Sequence, residues 1–474
     1  MFALPNVHLP SSAQVERASS LLQRKLGSRV LLGDEALSLY RSDDSRIVGR
    51  MPAAVVLAES TDDIREALRI AHDTGVPITP RAGGSGRTGG AVPVGGGIVL
   101  ATHLLKSIIE IDRDEGVAVV QPGVILDDLH AAVEAEGWFY PPDPNSSAIC
   151  CLAGNVAENA AGPRAFKYGV TRDYVLGLEA MLPAGPAFFA GRRTRKGVCG
   201  YDVVGLLVGS EGTLAAFGNI TLRLIPRPDQ VMTLIGLFPR MEDASQAVGD
   251  IVRRRLTPRC LEFLDGKTLD VMRINGNGMR ADARALLLIE VDGFETECER
   301  QAQLIGECCE AAGALEVSMA TTSDARDRLW ASRRQMSYAV RARARHKLSE
   351  DVVVPRQKLT ALLQEVIAIG ERHTIDALSY GHAGDGNLHV NFLWNEEDEW
   401  PRVERAVEDL FRATIALGGT LSGEHGIGLL KAPFLPLEQS EELIELQRNL
   451  KNAFDPRGVL NPGKILPARG HTAC

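Results

Sequence analysis

Apolar runs of strand length alternate with helix-periodic stretches along the first half of the chain. Residues 52–60 (PAAVVLAES) form one such run. Thr61-Asp62-Asp63 then caps IREALRIAHDTG, whose apolar positions recur at helical spacing up to a turn at Gly75. A short strand, VPITP, leads into RAGGSGRTGGAVPVGGG, after which GIVLAT and VAVVQPGVILDDLHAAVEAEGW repeat the alternation. Upstream, Ser11 or Ser12 caps an amphipathic helix. Near Pro226-Arg227-Pro228 the pattern changes, and strands such as MTLIGLF and ARALLLIEVDG are followed by long charged helices such as ETECERQAQLIGECCEAAG. The expected organisation is an N-terminal helical segment (1–46) packed on an α+β domain (47–228), followed by a second α+β domain (229–474).

Composition narrows the class. With 474 residues, 45% hydrophobic and 24% charged, the chain can bury more than one core. A net charge of −9 without a Lys/Arg block excludes the electrostatic footprint of a nucleic-acid binder. No apolar run approaches the roughly 20 residues of a membrane span, and residues 1–30 lack a signal core. A soluble cytoplasmic chain is expected, with peripheral attachment through a partner left open. The eight cysteines include the adjacent pairs Cys150-Cys151 and Cys308-Cys309 but no iron–sulfur spacing, so they read as reduced, mostly buried thiols. A redox reaction would need an external electron carrier.

Eight glycines crowd residues 80–97. Backbone N–H groups unobstructed by side chains form concave anion sites, and glycine permits both positive φ and close approach, so a phosphate-cradling loop is expected. Gly84-Ser85-Gly86-Arg87-Thr88-Gly89 matches G-x-G-x-x-G formally, yet a strand-like AVPVGGGIVL follows where a dinucleotide fold needs a helix. Gly266-Lys267-Thr268 resembles the end of a Walker loop, but Leu261 stands where the first glycine belongs. Two further clusters, Gly154-Asn155-Val156-Ala157-Glu158-Asn159-Ala160-Ala161-Gly162 and Gly209-Ser210-Glu211-Gly212-Thr213-Leu214, could line a large flat ligand.

Pro80-Arg81, Gly83-Gly84-Ser85-Gly86, Gly89-Gly90, Gln121-Pro122-Gly123-Val124, Pro141-Pro142-Asp143-Pro144, GNVAENAAG, Lys167-Tyr168-Gly169 and GSEGTL together resemble the FAD-binding domain of the vanillyl-alcohol oxidase (PCMH) flavoproteins. Within that superfamily the chain resembles the branch of glycolate oxidase GlcD subunits, D-lactate dehydrogenases and D-2-hydroxyglutarate dehydrogenases, over nearly its whole length. The resemblance implies a two-subdomain PCMH-type FAD-binding domain, an α+β FAD-linked oxidase C-terminal domain, and a C-terminal return to the flavin. It also implies that Pro80, Arg81, Ala82, Gly83, Gly84, Ser85, Gly86, Gly89 and Gly90 hold the FAD pyrophosphate. Pro142, Gly154, Ala157, Asn159, Gly162, Gly169, Glu211, Ile220 and Asn461 would contact the rest of the cofactor. The loop contains no His, and Cys150 is read as a packing residue, so FAD is expected to be non-covalent.

Residues 379–392 carry two apolar arms flanking Asp385-Gly386-Asn387, a hairpin signal that can bring His382 and His389 together, with His389 and Asn391 facing one side. Glu424-His425 follows, bracketed by Gly423 and Gly426. Two imidazoles and a carboxylate suit Zn²⁺ first, then Mn²⁺ or Fe²⁺, with a position left for substrate; the alternative is a pair of hydrogen-bonded core histidines. Oxidising a hydroxy acid removes a hydroxyl proton and a Cα hydride, and His425 is the expected base. The resemblance assigns His382, His389 and Glu424 as metal ligands and Asn391 as a substrate contact. It makes Arg333 a carboxylate clamp with Ser337 one turn on, the alternative being that Arg333, Arg334, Arg341, Arg343 and Arg345 form a solvated basic face. Ser349 stands where the dicarboxylic-acid enzymes have Lys, with Lys347 displaced, which favours glycolate or D-lactate over a diacid. The expected partners are a small 2-hydroxy acid and an external acceptor of the quinone, cytochrome or electron-transfer-flavoprotein kind. The assembly is expected to be a homodimer or the flavin subunit of a glycolate oxidase complex. A metal-dependent hydrolase is the contrasting reading.

Overall fold

The computed structural model describes residues 4–274, 280–320 and 322–469. They form two compact units: one contains the residues up to Ala160, Val170–Arg227 and the residues from Glu424 on; the other contains Ala161–Gly169 and Pro228–Gly423. Thus the span 229–474 is shared between units, its last segment belonging with the N-terminal one. Asn461 N–H donates to Ile78 O at 2.8 Å, and Leu460 bridges Ile78 in parallel, which fastens that segment there.

The first unit has two subdomains. In one, the parallel strands Ala54–Leu57, Ile98–Ala101 and Ile78–Arg81 pair in that order, with Val30–Leu31 antiparallel on the outer side. Helix Thr61–Thr74 starts at a Ser60/Asp63 capping box and ends at Gly75, whose φ of 70° is left-handed. Helix Ser12–Leu26, capped by Ser11, buries Ala18, Leu22 and Leu26 at four-residue spacing and packs on Thr61–Thr74. The second subdomain is an antiparallel five-stranded sheet in the order Ile108–Asp112, Val117–Val120, Ala216–Arg223, Val175–Met181, Ala187–Gly191. The α+β, two-subdomain expectation is met.

The second unit is built on a seven-stranded antiparallel sheet. Its order is Glu316–Met319, Gln230–Phe238, Ala285–Gly293, Cys260–Asp265, Asp376–His382, Asn387–Trp394, His346–Val353. Strand side chains alternate between faces. Cys260, Leu264, Leu286, Leu288, Leu378, Tyr380 and Leu393 form an apolar core with Met336 and Val340 of helix Ser323–Arg341 and Leu269 and Met272 of helix Gly266–Ile274. Glu262, His382, His389 and Asn391 share the parity of these residues and extend the same face into a polar patch.

Candidate functional site

In the first unit the glycine-rich loop leaves the sheet at Arg81, whose guanidinium donates to Ser42 O (2.7 Å) and lies over the Tyr40 ring. Gly84 and Gly89 take φ of 69° and 88°. At Gly83 a Cβ would stand 2.7 Å from Ile149 O, so only glycine fits there. Pro80, Ala82, Ser85, Gly86 and Gly90 complete the loop, and Ala82 faces Gly154 on helix Leu152–Glu158. Gly209 N–H donates to Val156 O and Glu211 N–H to Ala157 O, joining the second and third glycine clusters. Asn159 ends the helix in the left-handed region and accepts from Arg172 N–H. Pro142 O hydrogen-bonds His130 Nε2 at 3.0 Å. Ile220 is fully buried between Val120 and Leu178 in the five-stranded sheet. Gly162 and Gly169 flank helix Ala165–Tyr168 and belong to the second unit.

The His425 turn is tied to this loop. Thr88 Oγ1 donates to His425 O at 3.0 Å, and Leu429 N–H donates to Thr88 O at 2.7 Å. The Glu211 carboxylate accepts Ile427 N–H and Gly428 N–H, both at 2.7 Å. Gly426 has a φ of 78°, and a Cβ there would collide with Glu158 Oε2 and lie 2.9 Å from Glu211 Oε1. Asn461 Nδ2 donates to Gly90 O and Glu211 O, and buried Lys464 Nζ donates to Val92 O, Gly90 O and Asn461 Oδ1. Burial brings the Lys464 amine down to about 7, against the pull of Asp43, Glu211 and Glu158. Sequence reasoning took Glu211 as a cofactor contact; its carboxylate is directed to the His425 turn.

In the second unit the hairpin forms, turning through Ala383–Gly386 with Gly386 at φ 76°. It brings His382 and His389 edge to face, their ring centroids 5.2 Å apart, both buried. Register then adds partners that no local motif announced. Glu262 lies opposite His382, and its carboxylate meets His382 Nδ1 in a short hydrogen bond. Asp351 lies opposite His389, its Oδ1 3.7 Å from His389 Nδ1. Asp351 also accepts Asn387 Nδ2 (2.6 Å), Ser422 Oγ (3.1 Å) and Gly423 N–H (2.8 Å), fixing the residues just before Glu424. Gly423 has no room for a side chain: a Cβ would be 2.6 Å from Asn387 Nδ2. Burial alone would raise the Glu262 carboxyl, but His382 and Arg333 outweigh it and hold it down at about 2.

Arg333 is 5% exposed, which removes it from any solvated basic face. Its guanidinium pairs with Glu262 Oε2 at 2.6 Å and lies 4.9 Å over the Tyr380 ring. Ser337 Oγ accepts from Lys347 Nζ at 2.8 Å, and the same amine approaches Tyr380 OH at 3.5 Å. Asn391 Nδ2 donates to His389 O at 2.9 Å. Its Oδ1 and the Oγ of Ser349, which lies opposite it in register, are buried without a partner among the described residues. Orphaned buried polar atoms beside two imidazoles call for a partner that the described residues do not supply.

Cys150, Cys151, Cys260, Cys298, Cys308 and Cys309 are free and buried, and Cys199 is free and exposed; Cys474 lies outside the described residues. Burial pushes the Cys150 thiol up to about 11, in keeping with a packing role.

With a glycine-rich loop in one unit and a polar sheet face in the other, the chain has the two-domain architecture of FAD-linked oxidoreductases. The FAD binding domain family matches residues 52–188, and the family of FAD linked oxidases, C-terminal domain, matches residues 227–465. The chain belongs to this family of FAD-linked oxidases, as the PCMH-type motifs implied, and is an FAD-dependent enzyme. It is 41% identical over 431 residues to glycolate oxidase subunit GlcD of Bacillus subtilis (strain 168), covering 90% of this chain and 92% of that one. It is 34% identical over 449 residues to a D-lactate dehydrogenase of Anaerostipes hadrus, covering 92% and 94%. Among solved structures, p-cresol methylhydroxylase with substrate bound shares the fold, with a TM-score of 0.81, 15% identity, and coverage of 98% of this chain and 100% of that one.

Proposed function

We propose that the chain oxidises a small D-2-hydroxy acid of the glycolate or D-lactate type to the 2-oxo acid. The observation that carries this reading is the buried His382–His389 pair, with Glu262 hydrogen-bonded to His382 Nδ1 and Asp351 3.7 Å from His389 Nδ1. Metal-ligating histidines present one nitrogen to the ion and the other to a carboxylate, an arrangement that also fixes the tautomer. The Glu262 bond leaves Nε2 of His382 free to ligate, and His382, His389 and Glu424 would together hold the ion. Three protein ligands leave a position for substrate, with Zn²⁺ preferred over Mn²⁺ or Fe²⁺. When bound, the ion would supply a Lewis acid for the substrate hydroxyl, and the non-covalent FAD would supply the hydride acceptor.

The chain's own residues supply the rest. His425, on a turn held by Thr88 and Glu211, takes the hydroxyl proton on its imidazole. Asn391 and Ser349 offer polar atoms to the substrate on the face of the histidine pair. Arg333 balances Glu262 through one Nη and so fixes His382, and its other N–H groups serve as the clamp on the substrate carboxylate. Electrons pass on to an external acceptor such as a quinone, a cytochrome or an electron-transfer flavoprotein.

The protein should be yellow as purified. Its flavin bands should bleach anaerobically with D-lactate or glycolate, and chelation should suppress the bleaching. A colourless protein, or bleaching by none of a panel of D- and L-hydroxy acids, would overturn the reading. One relative is named as a subunit, which favours turnover with partner chains. Bleaching without reoxidation by a soluble dye would support that form. Among the described residues no helix is long and apolar enough to cross a membrane.

A further inference from the structure

Glu158 is absorbed by none of the roles above. It closes helix Leu152–Glu158, and its Oε2 is buried without a hydrogen-bond partner among the described residues. Its Oε1 lies 3.0 Å from where a Cβ on Gly90 would stand and 3.8 Å from the same point on Gly86, and its Oε2 faces Gly426. The carboxyl is therefore directed at the glycine-rich loop from beneath the His425 turn.

Three acids and one lysine meet here: Asp43, Glu158, Glu211 and Lys464. Asp43 accepts Ser45 N–H, Ser45 Oγ and Ala91 N–H. Glu211 accepts two backbone N–H groups. Lys464 gives its protons to Val92 O, Gly90 O and Asn461 Oδ1 rather than to a carboxylate. Glu158 alone of the three acids has no donor, and a buried carboxylate without donors or a paired cation is the costliest state available to it.

We propose that Glu158 is a cofactor-contacting residue whose carboxyl keeps its proton and donates it in a hydrogen bond to an acceptor atom of the FAD bound at the glycine-rich loop. Burial, then the neighbouring Glu211 and Asp43 carboxylates, push this carboxyl well above the ordinary carboxylate range. The position of the carboxyl also accounts for the glycines at 90 and 426, since a Cβ at either would crowd it. The acceptor is an oxygen of the pyrophosphate or a carbonyl or nitrogen of the flavin ring, and either takes a hydrogen bond from a neutral acid. The inference requires bound FAD but is independent of which acid is oxidised.

The test uses the full-length protein, stripped of FAD and reconstituted, as wild type, Glu158→Gln and Glu158→Leu. The amide of Gln still donates, so its FAD affinity should stay within about threefold of wild type, whereas Leu should weaken FAD binding by about tenfold or more. A pyrophosphate acceptor would shift the phosphorus resonances of bound FAD in the Leu variant; a ring acceptor would shift the visible flavin bands and the reduction potential. Leu binding FAD as tightly as wild type, or more tightly through loss of a repulsive charge, would overturn the proposal. Should the Leu variant fail to fold, the infrared difference between wild type and Glu158→Gln decides: a protonated-carboxyl carbonyl band present only in wild type is expected, and its absence overturns the proposal.

Discussion

Replacing Glu211 by Ala isolates what holds His425 in place. The Glu211 carboxylate lies 2.7 Å from each of two backbone donors, Ile427 and Gly428, and its own backbone O accepts from Asn461. Hydrogen bonds to a charged group contribute about 1.5–3 kcal/mol each, and buried donors left unmade cost more than the net bond. The two bonds sum to about 3–6 kcal/mol, but the turn is also held by Thr88, and removing Glu211 relieves its own burial, so a stability loss of about 2–4 kcal/mol is expected. Misplacing a base by an ångström costs about a hundredfold in rate. Glu211→Ala should therefore retain FAD but reduce it at least about 100-fold more slowly, measured by stopped-flow bleaching with saturating D-lactate. Glu211→Gln, which keeps one acceptor, should fall between. Wild-type bleaching by Glu211→Ala with an unchanged urea midpoint would refute the clamp.

Glu262→Gln removes the anion from both His382 and Arg333. It should destabilise the fold by about 3–5 kcal/mol, read from urea unfolding, and weaken metal affinity about 10–100-fold, read by metal titration; unchanged metal affinity would count against the ligand assignment. Gly426→Ala places a Cβ at φ 78° against two carboxylates and should destabilise by more than about 1 kcal/mol, read as a lower Tm. Lys464 carries a pH signature. Its amine, ordinarily near 10.5, sits at about 7 in the folded chain, so the folded state favours the neutral form. That contribution is complete above 10.5 and is lost as pH falls through 7. Between those limits stability should decline with falling pH in wild type more steeply than in Lys464→Met, as followed by urea midpoints; parallel curves would exclude the effect.

Much of this was legible because the signals were local. Asp385-Gly386-Asn387 between apolar arms specified the hairpin, and period-two parity put His389 and Asn391 on one side. Thr61-Asp62-Asp63 marks the helix start one residue after the true cap, Ser60, which forms a capping box with Asp63. Glu262 and Asp351 were missed because their meaning is a cross-strand register between segments 120 and 38 residues from their histidines, which no window contains. A signal existed: Glu262 interrupts the buried run CLEFLD with the parity of Cys260 and Leu264, and an acid facing a core needs a partner. The nine-residue excursion Ala161–Gly169 into the second unit carried no composition shift to mark it.

Ser349 reads differently once strand register is known. The absence of lysine there spoke against a diacid, with Lys347 dismissed as displaced. In a strand, however, a two-residue displacement preserves the face, and Lys347 moves only about 7 Å along it, bonding Ser337 beside Tyr380. The cation is thus relocated rather than lost, and it sits beyond the row of Ser349 and Asn391 instead of within it. A short monoacid placed by Asn391 would not reach it; a longer acid would meet it only at full extension. D-lactate should therefore reduce the flavin with a higher kcat/KM than D-2-hydroxyglutarate. Lys347→Met should leave D-lactate within about threefold while lowering residual diacid turnover at least about tenfold, the scale of one charge-assisted contact. Equal losses on both acids would mean that Lys347 supports the fold through Ser337 and does not discriminate between acids.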